Sequence, residues 1–232
     1  ILSSGRPTRT FHSTASPYVL ERVSSVATLP PTSRTSILMP PLNSTLTRLS
    51  TEFFGRPPLY VEPGIRTGMP IRYDNPAEVG ADRIVNAVAA RELYGAPVVV
   101  VDFGTATTFD VVDTDGAYVG GVIAPGVNTS LEALHTAAAA LPHVDVTRPQ
   151  SAIGTNTVAC MQSGIYWGYV GLVEGIVQKV RMERERPMKV IATGGLAPLF
   201  AQGTEVFESI EDDLTMHGLV LIHRYNRELG TA

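Results

Sequence analysis

The segment Val99-Val-Val-Asp-Phe-Gly-Thr-Ala-Thr-Thr108 indicates the fold of this chain more directly than any other stretch. Its apolar run predicts a buried strand that ends at Asp102. Gly104 then permits a tight turn, and the threonines after it offer hydroxyl and backbone N–H groups. Such N–H groups suit a phosphate, and a carboxylate at a strand end suits a cation. The alternative is a threonine-rich β-hairpin that binds nothing.

The patterns that follow this segment predict an α/β domain with a mixed sheet. Two further strand patterns, at residues 109–113 and 118–123, are joined by short turns and indicate an antiparallel meander. An Ala-rich helix at 130–140, a long helix at 156–181, a strand at 189–193 and a closing helix at 214–229 come next. This order does not fit an all-parallel, doubly wound sheet. Ligands in such folds collect beyond the strand ends.

Composition excludes several classes of function for the 232-residue chain. The net charge of −4 leaves no basic surface of the kind that nucleic acid or an anionic membrane requires, so we expect neither partner. No apolar run is long enough to span a bilayer. The single cysteine, Cys160, favours a reducing, cytoplasmic compartment, and we expect it to be a buried apolar residue. The five histidines lack metal-ligand spacing, so no zinc site is predicted.

Three further segments could bind a ligand, and each also has a purely structural interpretation. Near a predicted helix start, Asp82 could accept a proton from a substrate hydroxyl and Arg83 could bind a carboxylate. Alternatively, Asp82 favours the helix N-terminus and Arg83 is solvated. Thr193-Gly-Gly195 could bring backbone close to a nucleotide, or form an ordinary turn. Ile153-Gly-Thr-Asn-Thr157 could bind substrate, or cap the long helix.

Taken together, the motifs resemble those of the type III pantothenate kinases, a family also described as Bvg accessory factor-like. Their order and spacing fit that family from about Ser36 to near the C-terminus, and the combination is highly specific. The motifs are Tyr73-Asp-Asn-Pro76, Glu78-Val-Gly-Ala-Asp-Arg83, Asp102-Phe-Gly-Thr-Ala-Thr-Thr108, Gly120-Gly-Val-Ile-Ala-Pro-Gly126, Leu141-Pro142, Ile153-Gly-Thr-Asn-Thr157, Gln162-Ser-Gly-Ile165, Thr193-Gly-Gly195 and Leu214-Thr-Met-His-Gly-Leu219.

The resemblance implies a fold and an activity. The fold is that of the ribonuclease H-like superfamily of actin, chaperone ATPases, acetate kinase and sugar kinases, in which two similar α/β domains flank the active site. The implied activity is ATP-dependent phosphorylation of pantothenate, the first step of coenzyme A biosynthesis, with Mg²⁺ and a monovalent cation, K⁺ or NH₄⁺. Members are cytoplasmic homodimers.

The resemblance also implies roles for individual residues. Asp82 matches the catalytic base, and Gly80, Ala81 and Arg83 match the rest of the pantothenate-binding stretch. Tyr73 matches a tyrosine of the same pocket. Thr157 matches a threonine that contacts pantothenate, expected to come from the partner subunit. Asp102 matches the potassium ligand and Thr105 an ATP contact.

Residues 1–35 depart from the family pattern, which opens with Asp-X-Gly-Asn-Thr, its first phosphate loop. That motif is absent here, and the Ser/Thr/Arg/Pro-rich tract suggests a shifted reading frame or a misplaced start. We therefore expect a non-matching, disordered segment at 1–35, an incomplete N-terminal domain at 36–95 and a C-terminal domain at 96–232. Low stability and little or no activity would follow. An inactive pseudokinase or regulatory binding protein is the main alternative, and another sugar or acetate kinase is a third.

Overall fold

The computed structural model describes residues 35–37, 43–138 and 141–227. The interpretation of residues 1–35 as irregular lies outside these ranges except at Thr35, where it is wrong, because Thr35 begins a strand. The last two residues of the predicted closing helix also lie outside them. The elements, in chain order, are β1 (Thr35–Ile37), α1 (Asn43–Phe54), β2 (Leu59–Val61), α2 (Ala81–Tyr94), β3 (Val98–Phe103), β4 (Ala106–Val112), β5 (Tyr118–Pro125), α3 (Val127–Ala137), α4 (Thr157–Glu183), β6 (Lys189–Thr193), α5 (Ala197–Phe200), β7 (Ser209–Ile210) and α6 (Leu214–Arg227).

A five-stranded mixed sheet carries most of the core, in the order β5-β4-β3-β6-β7. The first three strands form the predicted antiparallel meander, whereas β6 lies parallel to β3 and β7 parallel to β6. A smaller parallel pair joins β1 to β2. The predicted mixed α/β architecture is therefore confirmed. The short elements α5 and β7 were not predicted, because neither is long enough to show a period.

The strand β3 is central because its four valines bury both faces. Val98 to Val101 are 0% exposed. Val98 and Val100 pack in one core cluster with α2 and α6, whereas Val99 and Val101 pack in another with α4 and α5. Burying each such side chain contributes roughly 1.5–3 kcal/mol relative to leaving it in water. A continuous run of valines, without alternation with polar residues, is what a strand covered by helices on both sides requires.

The helix α2, which carries the candidate base, is held against the sheet by α6. At this contact Gly218 lies directly on the backbone of α2, and a Cβ added there would overlap the carbonyl oxygen of Val85. The structure thus requires a glycine at the crossing of the two helices. The proposed domain boundary at residues 95/96 falls just after α2, and it stays a prediction.

Replacing Gly218 by alanine is expected to destabilise the chain by roughly 1–3 kcal/mol, because the methyl group must push α6 away from α2. Urea unfolding measures the change in the free energy of unfolding. Met216→Ala on the same helix is the control, since Met216 is 58% exposed and its truncation should change stability by less than about 0.5 kcal/mol. Equal stabilities of the Gly218 variant and the parent chain would show that the crossing is not tight.

Two expectations from the sequence are wrong in detail. Cys160 is exposed, not buried, and its thiol lies 3.4 Å from the carbonyl oxygen of Gly154. It lies on the outward face of α4, near the glycines of that helix, so it does not enter the core. The helix predicted at 130–140 begins earlier, at Val127, because Gly126 in extended conformation serves as its N-cap. None of the helices in the described ranges could cross a membrane.

Candidate active site

The carboxylate of Asp102 lies where two parallel strands end. Asp102 pairs with Thr193 across β3 and β6, and both strands then enter glycine turns. Gly194 has φ +91, and a Cβ added there would lie 2.7 Å from Asp102 Oδ1 and 2.6 Å from the carbonyl oxygen of Phe103. Only glycine fits both this conformation and this contact. The predicted Gly104 turn and the Gly194-Gly195 turn therefore meet at Asp102.

Asp82 lies in the first turn of α2 and is exposed to solvent. One of its carboxylate oxygens accepts a hydrogen bond from the backbone N–H of Arg83 at 2.9 Å. Gly80 is the N-cap of this helix, and a Cβ there would lie 2.7 Å from Asp82 Oδ1. A side chain at position 80 would therefore crowd the carboxylate of Asp82. This contact explains why a glycine occupies position 80.

Asp82 and Asp102 act on each other electrostatically. Burial raises the pKa of Asp102, the negative charge of Asp82 raises it further, and a hydrogen bond from Asn86 lowers it. The two carboxylates repel each other, and a bound cation would relieve that repulsion. The sequence analysis named both residues separately, and the structure brings them together.

Arg83 points into the protein and is not solvated, so the structural alternative for this residue was wrong. It is 8% exposed. Its Nε donates to Asp110 Oδ1 at 2.7 Å, and that fully buried carboxylate also accepts from the Tyr118 hydroxyl at 2.9 Å and the Thr108 hydroxyl at 3.2 Å. The Nη2 atom of Arg83 is buried without a hydrogen-bond partner among the described residues. A ligand acceptor could satisfy it.

The pKa values of both members of this ion pair are raised. A raised pKa favours the charged form of Arg83 but disfavours the charged form of Asp110. Burial disfavours the Arg83 cation, but the Asp110 carboxylate outweighs that effect, so the pKa of Arg83 is raised. Burial raises the pKa of Asp110 to about 6, although Arg83 and Tyr118 oppose the shift. The Asp110 carboxylate accepts from three donors, one of which is the Arg83 cation. The pair is built to hold the guanidinium in one orientation.

Tyr73 lies beside this ion pair, at the mouth of the site. Its ring centroid is 6.4 Å from that of Tyr118, and its ring edge covers Gly120, where a Cβ would lie 3.6 Å away. Backbone hydrogen bonds between the loop of residues 70–72 and Tyr118 hold Tyr73 in place. The tyrosine is 38% exposed, so part of its ring faces solvent and part faces the protein.

Thr105 occupies the exposed turn between β3 and β4, one residue after Gly104. Its carbonyl oxygen accepts a hydrogen bond from the Thr129 hydroxyl of α3 at 3.0 Å. The backbone of this turn also lies against Gly126, where no side chain would fit. These contacts hold the turn in place, and its hydroxyl and N–H groups lie beside Asp102. The threonine-rich segment predicts such an arrangement for a phosphate site.

Thr157 is not part of this cluster within the described residues. It begins α4, which covers the face of the sheet opposite α2, and it is exposed. The cap of that helix is Asn156, whose side chain accepts from the N–H of Ala159 at 2.9 Å. Thr157 therefore stays free for another contact, and the capping alternative applies to its neighbour.

The residues around Asp102 suit a hard cation. Oxygen atoms converge there from the carboxylate and from the carbonyl of Phe103, and Gly194 leaves open the space that a Cβ would fill. Oxygen ligands of this kind are preferred by K⁺, Mg²⁺ and similar ions. An apolar cavity of about 260 Å³ lies on the other side of Ala81, between the start of α2 and residues 61–79.

Two functional residues escaped the sequence analysis. Asp110 looked like an ordinary strand residue, although a carboxylate in a run of β-branched and aromatic residues is itself a signal of a buried partner. Asn86 follows Asp82 by four residues and so lies on the same face of α2, where its side-chain amide donates to Asp102 Oδ2 at 3.0 Å.

The comparisons with known proteins point to one family. The model of the type III pantothenate kinase family matches residues 8–179. That range begins inside residues 1–35, earlier than the motifs led us to expect.

Curated relatives are similar over most of the chain. A type III pantothenate kinase of Cereibacter sphaeroides is 69% identical over 174 residues, which cover 75% of this chain and 68% of the relative. The enzyme of Paracoccus denitrificans is 65% identical over 185 residues, 79% of this chain and 71% of the relative. The enzyme of Ruegeria pomeroyi is 64% identical over 181 residues, which cover 78% of this chain and 70% of the relative.

A solved structure supports the fold. A conserved Campylobacter jejuni protein assigned to the Baf family of transcriptional activators superposes with a TM-score of 0.59 at 19% identity, covering 89% of each chain. At that identity the likeness concerns architecture alone, and it supports the mixed α/β fold. The family match and the curated relatives establish more: this chain belongs to the type III pantothenate kinase family.

Proposed function

We propose that this chain transfers the γ-phosphoryl group of ATP to the primary hydroxyl of pantothenate and so forms 4'-phosphopantothenate for coenzyme A biosynthesis. The observation that supports the proposal is the position of Asp102 at the ends of two parallel strands, between two glycine turns, with the negative charge of Asp82 acting on it. Relatives of 64–69% identity are described as type III pantothenate kinases. A base, a cation site and a backbone phosphate turn are the parts that phosphoryl transfer requires.

In this mechanism Asp82 is the general base. The pantothenate hydroxyl oxygen attacks the γ-phosphorus, a new O–P bond forms, and the bond from the γ-phosphorus to the bridging oxygen of ADP breaks. The hydroxyl proton passes to Asp82, whose exposed carboxylate is free to accept it. Because the transition state is loose, orientation and charge neutralisation supply most of the rate enhancement.

Asp102 would hold the monovalent cation, K⁺ or NH₄⁺, and Thr105 with the Gly194-Gly195 turn would contact the phosphates of ATP and its Mg²⁺. The bound cations supply neutralisation of phosphate charge. The protein's own contribution is to hold Asp102 aimed at the turns, and to present backbone N–H groups that need no reorganisation when charge moves.

Pantothenate would lie between Asp82 and the Arg83–Asp110 ion pair. The unpartnered Nη2 atom of Arg83 is the natural donor to the substrate carboxylate, and the exposed face of Tyr73 would cover the pantoyl part. Gly80 and Ala81 border the same space. The ion pair fixes the guanidinium before substrate arrives, so binding loses little side-chain entropy.

We further propose a cytoplasmic homodimer in which Thr157 of one copy reaches the pantothenate of the other. Four glycines of α4 support the dimer, because they share one exposed face of the helix and a Cβ at any of them would meet nothing within 4 Å. Such a smooth face lets a second helix approach closely. The four are Gly164, Gly168, Gly171 and Gly175.

Replacing Gly168 by arginine is expected to convert the dimer into a monomer, since a charged side chain would stand in the helix contact. Sedimentation velocity at a micromolar concentration measures the mass, and Gln150→Arg on an exposed loop is the control. If Thr157 acts across the interface, the variant that loses the dimer should also lose pantothenate phosphorylation. A parent chain that sediments as a monomer would contradict the proposed assembly.

The alternative of a pseudokinase or regulatory binding protein gains no support from the relatives described above, which are named as kinases. A direct test is the identity of the product. After incubation with ATP, Mg²⁺ and K⁺, mass spectrometry should detect pantothenate carrying one phosphoryl group, and the analogue that lacks the primary hydroxyl should remain unmodified. Phosphorylation of an acetate or sugar acceptor in place of pantothenate would favour another kinase of the superfamily.

A further inference from the structure

A chain of three polar side chains from three different elements ends at Asp102. The Thr215 hydroxyl of α6 donates to Asn86 Oδ1 at 2.7 Å, and Asn86 Nδ2 of α2 donates to Asp102 Oδ2 at 3.0 Å. Asn86 is 1% exposed and lies among the alanines and valines of α2. An uncompensated amide in such a place would be costly, so both of its hydrogen bonds matter to the orientation of the side chain.

Thr215 decides which way the Asn86 amide points. An asparagine side chain can rotate by 180° and exchange its oxygen and nitrogen, and only the hydrogen-bond partners fix the choice. The hydroxyl of Thr215 donates to the oxygen, which leaves the N–H₂ group facing Asp102. In the reverse orientation the amide oxygen would face a carboxylate, and two acceptors would repel each other.

The bond from Asn86 occupies one oxygen of Asp102 and leaves the other for the site. Oδ2 accepts from Asn86, whereas Oδ1 faces the glycine turns, 2.7 Å from the Cβ position of Gly194 and 3.8 Å from that of Gly104. The side chain of Asp102 therefore has a buried side that is fixed and an open side that is free. A hydrogen bond that only stabilised the fold would not need to leave Oδ1 of Asp102 free.

We propose that Asn86 and Thr215 are positioning residues, which hold Asp102 so that Oδ1 is presented to the monovalent cation. The inference rests on the proposed function, in which Asp102 holds that cation. It adds that the C-terminal helix α6 takes part in the cation site through Thr215, although no residue of α6 borders the glycine turns directly in the described contacts. Leu214, fully buried beside Thr215, anchors this end of α6.

The sharpest test replaces Thr215 by valine, which keeps the shape and removes the hydroxyl. The K⁺ concentration that gives half-maximal kinase activity is expected to rise about fivefold, the value of one modest hydrogen bond, while kcat at saturating K⁺ stays within about twofold. Thr215→Ser, which keeps the donor, should restore the parent value. Thr204→Val, the same change at a hydroxyl that donates to Glu174 of α4, should have no effect on cation dependence.

A second readout needs no turnover. The melting temperature of the parent chain should rise more in KCl than in tetramethylammonium chloride of equal ionic strength, and Thr215→Val and Asn86→Ala should lose much of that difference. A cation-specific shift that survives in both variants, with unchanged half-maximal K⁺, would overturn the positioning role and leave the kinase proposal intact. A parent chain that phosphorylates pantothenate without any response to K⁺ would overturn the inference through its premise.

Discussion

Replacing Asp82 by asparagine is expected to lower kcat for pantothenate phosphorylation by about 10²–10⁴-fold, because an amide cannot accept the hydroxyl proton. The substitution keeps the size of the side chain and its acceptor for the Arg83 N–H, and it removes a negative charge beside Asp102. The KM for pantothenate should change much less than kcat. Steady-state ADP release at several pantothenate concentrations separates the two parameters.

The control for this experiment is Asp145→Asn, since Asp145 is an exposed carboxylate on the segment before α4. It should retain the parent kcat. Thermal melts of both variants should match the parent within a few degrees, because neither side chain is buried. If the Asp82 variant kept more than about a tenth of the parent kcat, another group would have to accept the proton, and the assignment of the base would be wrong.

The largest effect on stability is expected at Asp110. Replacing it by alanine should lower the free energy of unfolding by about 3–5 kcal/mol, because the Arg83 cation would then be buried without a counter-charge. The variant should also bind pantothenate more weakly, since the guanidinium is no longer held in place. Urea unfolding measures the first effect, and the KM for pantothenate measures the second.

Two comparisons make this prediction specific. Asp115→Ala breaks the exposed ion pair between Arg72 and Asp115, whose side chains are 61% and 45% exposed, and should cost much less stability than Asp110→Ala, because solvent screens exposed charges. A double variant with Arg83→Met and Asp110→Leu should recover much of the lost stability but not the affinity for pantothenate. Equal losses of stability from Asp110→Ala and Asp115→Ala would mean that the burial of Arg83 does not cause the large effect expected at Asp110.

Local patterns in the sequence predicted the parts of the site that lie within one element. The valine run, the acid at its end and the glycine turn follow one another along the chain, so the strand β3 and its loop could be read directly. The order of strands and helices then limited the sheet to a mixed arrangement, and the motifs in their spacing indicated the family. Asp82, Asp102 and Thr105 were therefore named before any contact was known.

Contacts between elements could not be read in this way. The roles of Asp110 and Asn86 depend on partners far along the chain: Arg83 for one, Asp102 and Thr215 for the other. The strand pattern around Asp110 indicates a buried partner but does not say which residue it is. The prediction that Cys160 is buried failed for a related reason. Which face of α4 is buried depends on how that helix packs on the sheet, and its apolar residues occur on more than one side.

The measurement that tests the central claim most directly is ADP release by the purified chain in the presence of ATP, Mg²⁺ and K⁺, with and without pantothenate. The account predicts release that depends on pantothenate and that disappears in the Asp82→Asn variant. A chain that unfolds cooperatively and binds ATP, yet releases no ADP when pantothenate is added, would contradict it.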